Sequence, residues 1–506
     1  ADRWWIVADG MADVTVGGLY TATIGPGESI GELALLDGEP RGATVTATTE
    51  MELHEVGGEQ FVEALLASPR LSLALLCQLA TRLRTSNRRP SQKSTRPTVS
   101  IAWGPAVRST VEQPEQFDPS APGYFEDPAA QLAALREAAP VHWSDAVNSY
   151  VVTRYEDIHR MTRDRSLLGS VTTLDAPGCP ARRRGEKMMI RRDGDDHLRL
   201  RRLVSKVFTP RAISRWQQRS ESIVDGLLNR LSEGDEFDVM SDYAVVVPTQ
   251  IISEMLGMPT EDMPRLQAWS STLSKGLDPF TTPEEEEAAV AAGKAFVGYL
   301  EQTIVDKRGR PDDDILTALL DAQEAGEVLD DEEVISQVLM LYIAGHETTR
   351  NLIGNGLTHL FRFPAQLDRL RADPSLDANA VEEVLRFESP AQLTRRVNHA
   401  PVELGGTTIP AESHITLSLA SANRDPRKWG PTADTLDVAR PRANEHVSFG
   451  GGPHFCLGNS LARLEAKIAL PSLIRRFPRL APAYVEPQWT RRVVLRGVET
   501  LPVSIE

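Results

Sequence analysis

The sequence predicts two units of different class: a small β-rich unit closed by helices, then a large, mainly α-helical unit carrying small β-sheets. Three observations predict this. Short alternating apolar runs, 5–16 and 43–56, are broken by glycine pairs. The stretch from Ser86 to Thr98 is rich in Arg, Pro and Ser and nearly devoid of large apolar side chains, so it reads as an exposed linker. Beyond it helical periodicity dominates, with no βαβ alternation, no Gly-rich phosphate loop and no internal repeat.

Composition narrows the class. The chain has 506 residues, too many for one ordinary core. Hydrophobic residues make up 41% and charged residues 25%, the balance of a packed protein and not of a disordered chain. Three cysteines, Cys77, Cys179 and Cys456, cannot all pair with one another, and a cytoplasmic location is expected. A formal charge of −16 argues against nucleic acid as a partner. No run reaches the roughly 18 apolar residues that cross a bilayer, so no membrane span is expected. The start, Ala1-Asp2-Arg3-Trp4-Trp5, lacks the basic-then-apolar pattern of a signal peptide. It has no Met and already reads as a strand, so the first unit is expected to be N-terminally incomplete.

Taken in order, Gly17-Gly18, Gly25-Pro26-Gly27 and Gly57-Gly58 punctuate the first strands. A helical stripe follows through Phe61, Leu65 and Leu66, then Leu71, Leu75, Leu76, Leu79 and Leu83. These features set expected boundaries of 1–85, a basic linker over 86–114, and 115–506. The large unit should hold helices over 128–139, 195–208, 210–231 and 331–363, and strands over 150–153, 402–404 and 414–419. The fourth helix is unusually long. Asp330 can cap it, Glu333 suits a capping box, and Pro364 ends it. At 1.5 Å per residue it spans roughly 48 Å, enough to cross a domain.

The most informative stretch is Phe449-Gly450-Gly451-Gly452-Pro453-His454-Phe455-Cys456-Leu457-Gly458. A lone cysteine sits in a glycine-crowded turn just before a helix. Glycines let the backbone approach a flat object and supply positive φ, and a helix N-terminus stabilises a thiolate. One axial thiolate is what haem iron needs for O–O cleavage. A structural cysteine in a turn is the bland alternative. The segment resembles the haem-binding signature of the cytochrome P450 family, matching it at Phe449, Gly450, Gly452, His454, Cys456 and Gly458.

Further motifs occur in the order of that family. Glu383-Val384-Leu385-Arg386 is similar to its Glu-x-x-Arg helix, whose two charges share one face; alone, such a pair reads as a surface contact. The resemblance supplies Arg440 as a third member of a structural ion network. Ala344-Gly345-His346-Glu347-Thr348-Thr349 lies inside the long helix and resembles the oxygen-activating motif. Gly345 would leave room for a ligand at mid-helix, and Thr348 can bond back to a carbonyl. The resemblance implies that Thr348 holds dioxygen and its water, and that Glu347 relays protons.

The resemblance also implies haem b as cofactor. Its propionates need cations, and His197, Arg201, His454 and either Arg395 or Arg396 match the family's contacts, with Arg396 the preferred register. Segments 166–190, 248–300 and 391–395 would line the substrate pocket. No flavin or iron–sulfur segment is present, so a ferredoxin and ferredoxin reductase are the implied electron donors, with Arg199, Arg202 and Arg463 offered for docking.

The first unit carries its own signature, Ile30-Gly31-Glu32-Leu33-Ala34-Leu35-Leu36-Asp37-Gly38-Glu39-Pro40-Arg41-Gly42-Ala43. A Gly-Glu turn with an Arg nine residues later suits a ribose cyclic phosphate: carboxylate to the 2′-hydroxyl, guanidinium and amides to the phosphate. It is similar to the phosphate-binding cassette of cyclic-nucleotide-binding domains. The resemblance implies a partial β-roll, with Glu32 on the ribose, Arg41 on the phosphate, and Gly31, Leu33, Ala34 and Ala43 shaping a site for cAMP or another cyclic nucleotide.

The expected function is a haem-thiolate monooxygenase inserting one atom of O2 into an apolar substrate of terpenoid, steroid, fatty acyl or polyketide-like type. A haem-based sensor and a peroxide-driven haem enzyme are the competing readings.

Overall fold

The computed structural model describes residues 116–164, 168–170, 187–231, 236–324 and 329–505, together with 3–9, 12–16, 19–24, 29–30, 44–49 and 52–57. Two compact units, Ala1–Val107 and Arg108–Glu506, are distinguished.

Among the described residues the first unit shows six strands: β1 (Arg3–Asp9), β2 (Ala12–Val16), β3 (Leu19–Ile24), β4 (Ser29–Ile30), β5 (Thr44–Ala47) and β6 (Glu52–Gly57). They form two antiparallel three-stranded sheets, β4-β1-β6 and β3-β2-β5. Trp5 opposes Ile30 on one side and Glu55 on the other. The candidate nucleotide residues Gly31, Glu32, Leu33, Ala34, Arg41 and Ala43, the stripe after Gln60 and the linker lie outside the described residues.

In the second unit one mixed sheet stands out. It contains β7 (Val141–Ser144), β8 (Ser149–Val152), β9 (Leu168–Ser170), β10 (Leu393–Asn398) and β11 (His414–Ser418), in the order β7-β8-β11-β10-β9. Only the β8–β11 pairing is parallel. The sequence reading missed β10: Thr394-Arg395-Arg396 carries no apolar alternation. Pairing on both sides, Arg396 with Ile415 and with Ser170, makes it a strand.

Six helices position the site: α1 (Gly194–Ser205), α2 (Val246–Met255), α3 (Met263–Lys275), α4 (Asp331–Arg362), α5 (Asp377–Phe387) and α6 (Asn459–Arg476). The expected helix over 210–231 is two, Pro210–Ser214 and Gln217–Leu231. It breaks at Arg215-Trp216, where Trp216 N bonds three residues back to Ile213 O at 2.9 Å.

Helix α4 is the axis of the main core. Its 32 residues are buried on nearly every side over 334–342 and 351–360, while the polar middle turns between them are only partly covered. The capping box forms: Glu333 N donates to Asp330 Oδ1 (2.7 Å) and Asp330 N to Glu333 Oε2 (3.3 Å). Against α4 pack α2, α3, α5 and α6.

Helix α5 presents the ion network. Arg386 donates from Nε and Nη2 to the two Glu383 oxygens at 2.7 and 2.8 Å, and Arg440 Nε reaches the same carboxylate at 3.0 Å. Glu383 and Arg386 are wholly buried. Desolvating three charges is costly, and here it is offset by many hydrogen bonds. Arg386 Nη1 bonds Asn423 O and Ala433 O, Arg440 Nη2 bonds Thr432 O and Thr435 O, and Asp437 N donates to Glu383. The network ties α5 to the segment just before the glycine turn.

Candidate active site

Where α4 passes the glycine turn, a cavity of about 1550 Å³, including its mouth, opens between them. Leu341, Ala344, Gly345, Thr348 and Leu352 of α4 line it, as do Phe449, Gly450, Cys456, Leu457 and Gly458 of the turn. Met189, Ile252, Met340, Ala391 and Leu393 complete an apolar enclosure. Of the expected pocket segments, 391–395 and the ends of 166–190 and 248–300 reach it, through Met189, Ile190 and Ile252.

The turn keeps its shape through backbone geometry. Gly450 and Gly452 have φ of +68° and +61°, a region costly for other residues. A Cβ on Gly452 would also stand 2.3 Å from Thr162 O. Cys456 N donates to Phe449 O at 2.9 Å, closing the loop. Burial pushes the Cys456 thiol up; the amides of Gly458 and Asn459 and the guanidinium groups of Arg201 and Arg463 act in the opposite direction. An amide pair at the start of α6 aimed at sulfur is the environment of a metal-bound thiolate.

Thr348 Oγ1 donates to Ala344 O at 2.9 Å, the expected back-bond. With its one proton so used, the hydroxyl presents an acceptor to the cavity. Gly345 differs in its reason from the sequence reading. A Cβ there would lie 3.0 Å from Ile252 Cγ1, so the glycine admits a side chain of α2 as well as lining the cavity. Glu347 is absent from the cavity wall among the described residues. Its Oε1 lies 3.3 Å from Arg350 Nη1 and its Oε2 3.6 Å from His346 Nε2.

At one edge four basic groups converge: His197, Arg201, Arg396 and His454 all line the cavity. The imidazole rings of His197 and His454 lie 4.3 Å apart. Arg201 Nη2 donates to Phe455 O at 2.5 Å, and His454 Nε2 is 2.9 Å from Asp193 Oδ1. Strand alternation separates the two arginines: Arg396 faces the cavity, while Arg395 donates to Val147 O on the opposite side. Burial lowers the proton affinity of Arg201, Arg396 and His454; Asp193 is the carboxylate opposing this for Arg396 and His454. Half-buried basic groups with so little counter-charge call for an anionic ligand. Open space beyond Gly458 gives a flat group access to the sulfur. The donor set therefore fits an iron porphyrin with carboxylate arms.

The sequence reading missed the carboxyl group in the cavity wall, along with apolar lining residues such as Met340, Leu385 and Leu461. Glu465, on α6, is buried, and neither carboxyl oxygen has a hydrogen-bond partner among the described residues. Burial pushes it up to about 8, opposed by the Thr349 hydroxyl. Its spacing to Leu461 and Ala469, both buried, places it on the apolar face of α6 and was the available signal. Two of the docking arginines are engaged within the chain: Arg199 with Glu333 and Asp196 at 2.6 Å each, and Arg463 with Glu382 at 2.6 Å. Arg202 is exposed.

Known proteins agree with this geometry. The cytochrome P450 family model matches residues 142–491, and the cyclic nucleotide-binding domain model matches residues 1–68. The chain is 39% identical over 409 residues to vitamin D(3) 25-hydroxylase of Pseudonocardia autotrophica, covering 78% of this chain and 98% of that one. It is 35% identical to the cytochrome P450 monooxygenase PikC of Streptomyces venezuelae, covering 78% and 96%. The crystal structure of CYP109E1 from Bacillus megaterium in complex with testosterone is similar with a TM-score of 0.70 at 29% identity, covering 76% of this chain and 98% of that one. No helix among the described residues is long and apolar enough to cross a membrane. With a cysteine thiol facing an apolar cavity ringed by cations, and with matches of this extent, the chain belongs to the cytochrome P450 family of haem b monooxygenases acting on apolar substrates.

Proposed function

We propose that this enzyme inserts one atom of dioxygen into a terpenoid, steroid, fatty acyl or polyketide-like substrate and releases the other as water, taking two electrons from a ferredoxin and its reductase in the cytoplasm. The observation that carries the reading is that Cys456 and Thr348 line one mainly apolar cavity.

Bound haem b supplies reductive activation of dioxygen. Cys456 would hold the metal as thiolate, its negative charge favoured by the Gly458 and Asn459 amides and by Arg201 and Arg463. His197, Arg201, Arg396 and His454 would hold the propionates. Gly345, Phe449, Gly450 and Gly458 would bound the ring. Thr348 would hold water at the reacting face through its acceptor oxygen, and Glu347 would pass it protons. Met189, Ile252, Met340, Ala391 and Leu393 exclude water and orient an apolar substrate. Glu383, Arg386 and Arg440 keep the thiolate turn in place.

The family match and the cassette motif support residues 1–85 as a cyclic-nucleotide-binding unit joined by a linker, 86–114, to the oxygenase, 115–506. Gly31, Glu32, Leu33, Ala34, Arg41 and Ala43 would take cAMP or a related nucleotide, which would regulate oxidation. Coupling requires a measurable change in one affinity on filling the other site; substrate affinity unchanged by cAMP refutes the regulation.

The test of the oxygenase is direct. Reduced, carbon monoxide-treated protein should show the Soret maximum that gives the family its name, and Cys456→Ala should lose it with all turnover. Thr348→Ala should keep the spectrum but divert electrons to peroxide. Product formation by Thr348→Ala as efficient as the parent's, with a surrogate ferredoxin system, refutes the relay.

A further inference from the structure

Beside the thiolate turn, where α5 meets the first turns of α6, a charged cluster is built round Arg463. Its Nε and Nη2 donate to the two Glu382 oxygens of α5 at 2.6 and 3.0 Å, and its Nη1 to Asn459 Oδ1 at 2.8 Å. Asn459 Nδ2 in turn donates to Cys456 O at 2.7 Å. The guanidinium carbon lies 4.5 Å from the centre of the Phe449 ring, within the reach of a cation–π contact. Phe449 O accepts the Cys456 amide. Arg463 therefore braces the turn at both ends, on Phe449 before the cysteine and through Asn459 after it.

The carboxylate that holds Arg463 is itself held. His446 is buried. Its Nδ1 accepts from Ser448 N at 3.1 Å, so Nε2 carries the hydrogen and donates to Glu382 Oε2 at 3.1 Å. Ser448 Oγ donates to Leu385 O at 2.7 Å, a further tie to α5. A bidentate arginine–carboxylate pair fixes orientation as well as distance. The Arg463 and Glu382 side chains are 31% and 14% exposed, so water screens neither charge fully. The two adjacent carboxylates of α5 thus divide their work: Glu383 serves Arg386 and Arg440, and Glu382 serves Arg463.

We propose that Glu382 is a positioning residue that holds Arg463 as a fixed cation against the thiolate turn, and that this cation sets how readily iron bound to Cys456 accepts an electron. The inference rests on the haem-thiolate reading above. The step is one electron passing from the ferredoxin, which is oxidised, to ferric iron, which is reduced. It adds one negative charge to the site. A cation beside the sulfur favours that charge, and the carboxylate behind the cation tempers the effect. The structure assigns Arg463 to this tuning and not to docking a carrier.

The test is a potentiometric titration of the full-chain haem protein with redox mediators. Arg463→Gln should lower the ferrous-to-ferric ratio at a fixed potential about tenfold, a fall of about 59 mV for one electron. Glu382→Gln should shift that ratio several-fold the other way, because it strips the counter-charge while Asn459 and Phe449 still hold the arginine. Arg463→Lys keeps the charge and should stay close to the parent. All three should retain the carbon monoxide Soret maximum. Shifts of one sign in Arg463→Gln and Glu382→Gln, or no shift in either of them, overturn the proposal, since a merely structural brace loosens the turn alike whichever partner is removed. Should Arg463→Gln fail to hold haem, the rise in Glu382→Gln and the near-parent value in Arg463→Lys decide the matter together; absence of either overturns it. Failure of the haem-thiolate reading itself shows separately, as a parent protein without that Soret maximum.

Discussion

Replacing Glu465 with Gln should make the oxygenase unit more stable, and increasingly so as pH rises. The carboxyl titrates near 8 in the folded chain against an ordinary 4.5. Each tenfold change in proton affinity corresponds to about 1.4 kcal/mol, so ionising this group in place costs about 5 kcal/mol. The sign follows from which state holds the proton. Below 4.5 both folded and unfolded chains are protonated there, and the group is neutral to stability. Between 4.5 and 8 only the folded chain keeps the proton, so stability falls with rising pH. Above 8 the full penalty is present. Gln is nearly isosteric and does not titrate, so the stability difference between Glu465→Gln and parent should widen by about 4 kcal/mol from pH 5 to pH 9, because a small part of the penalty is already present at pH 5. Urea unfolding followed by loss of Soret absorbance in the full-chain haem protein, at several pH values, measures that difference. A difference that stays flat across the range would show that the carboxyl is solvated or paired in solution and that the burial argument is wrong.

Two further outcomes follow from packing. Glu383→Gln leaves two buried guanidinium groups without their shared anion and should lower stability by about 3–5 kcal/mol, read as a lower urea midpoint with loss of haem retention; an unchanged midpoint would refute the network's role. Gly345→Ala should reduce thermal stability because its Cβ meets Ile252 Cγ1 at 3.0 Å, and adding Ile252→Ala should recover most of the loss; additive losses would show that the glycine serves the cavity alone.

Much of the site was legible from one dimension because its chemistry is local. The thiolate turn is a contiguous run in which two glycines, Gly450 and Gly452, supply the positive φ that the turn requires. The capping box of α4 and the back-bond of Thr348 are made within four residues, and the sequence carries both. What the sequence could not carry are quantities set by neighbours far along the chain. Strand β10 exists through pairing partners and not through its own pattern. The register that turns Arg396 inward and Arg395 outward follows from that pairing.

The sequence by itself determined the candidate ligand set: a lone cysteine among glycines, a threonine on a long helix, and basic residues offered for the cofactor edge. Those identities are local in the chain and specific in chemistry. Only the tertiary structure decided the electrostatics, because burial and distance belong to the packed assembly. It turned Glu347 toward Arg350 and His346 and away from the cavity, and it left Glu465 dry against the cavity wall. A carboxyl group reads the same in every sequence; its proton affinity depends on what the fold places around it.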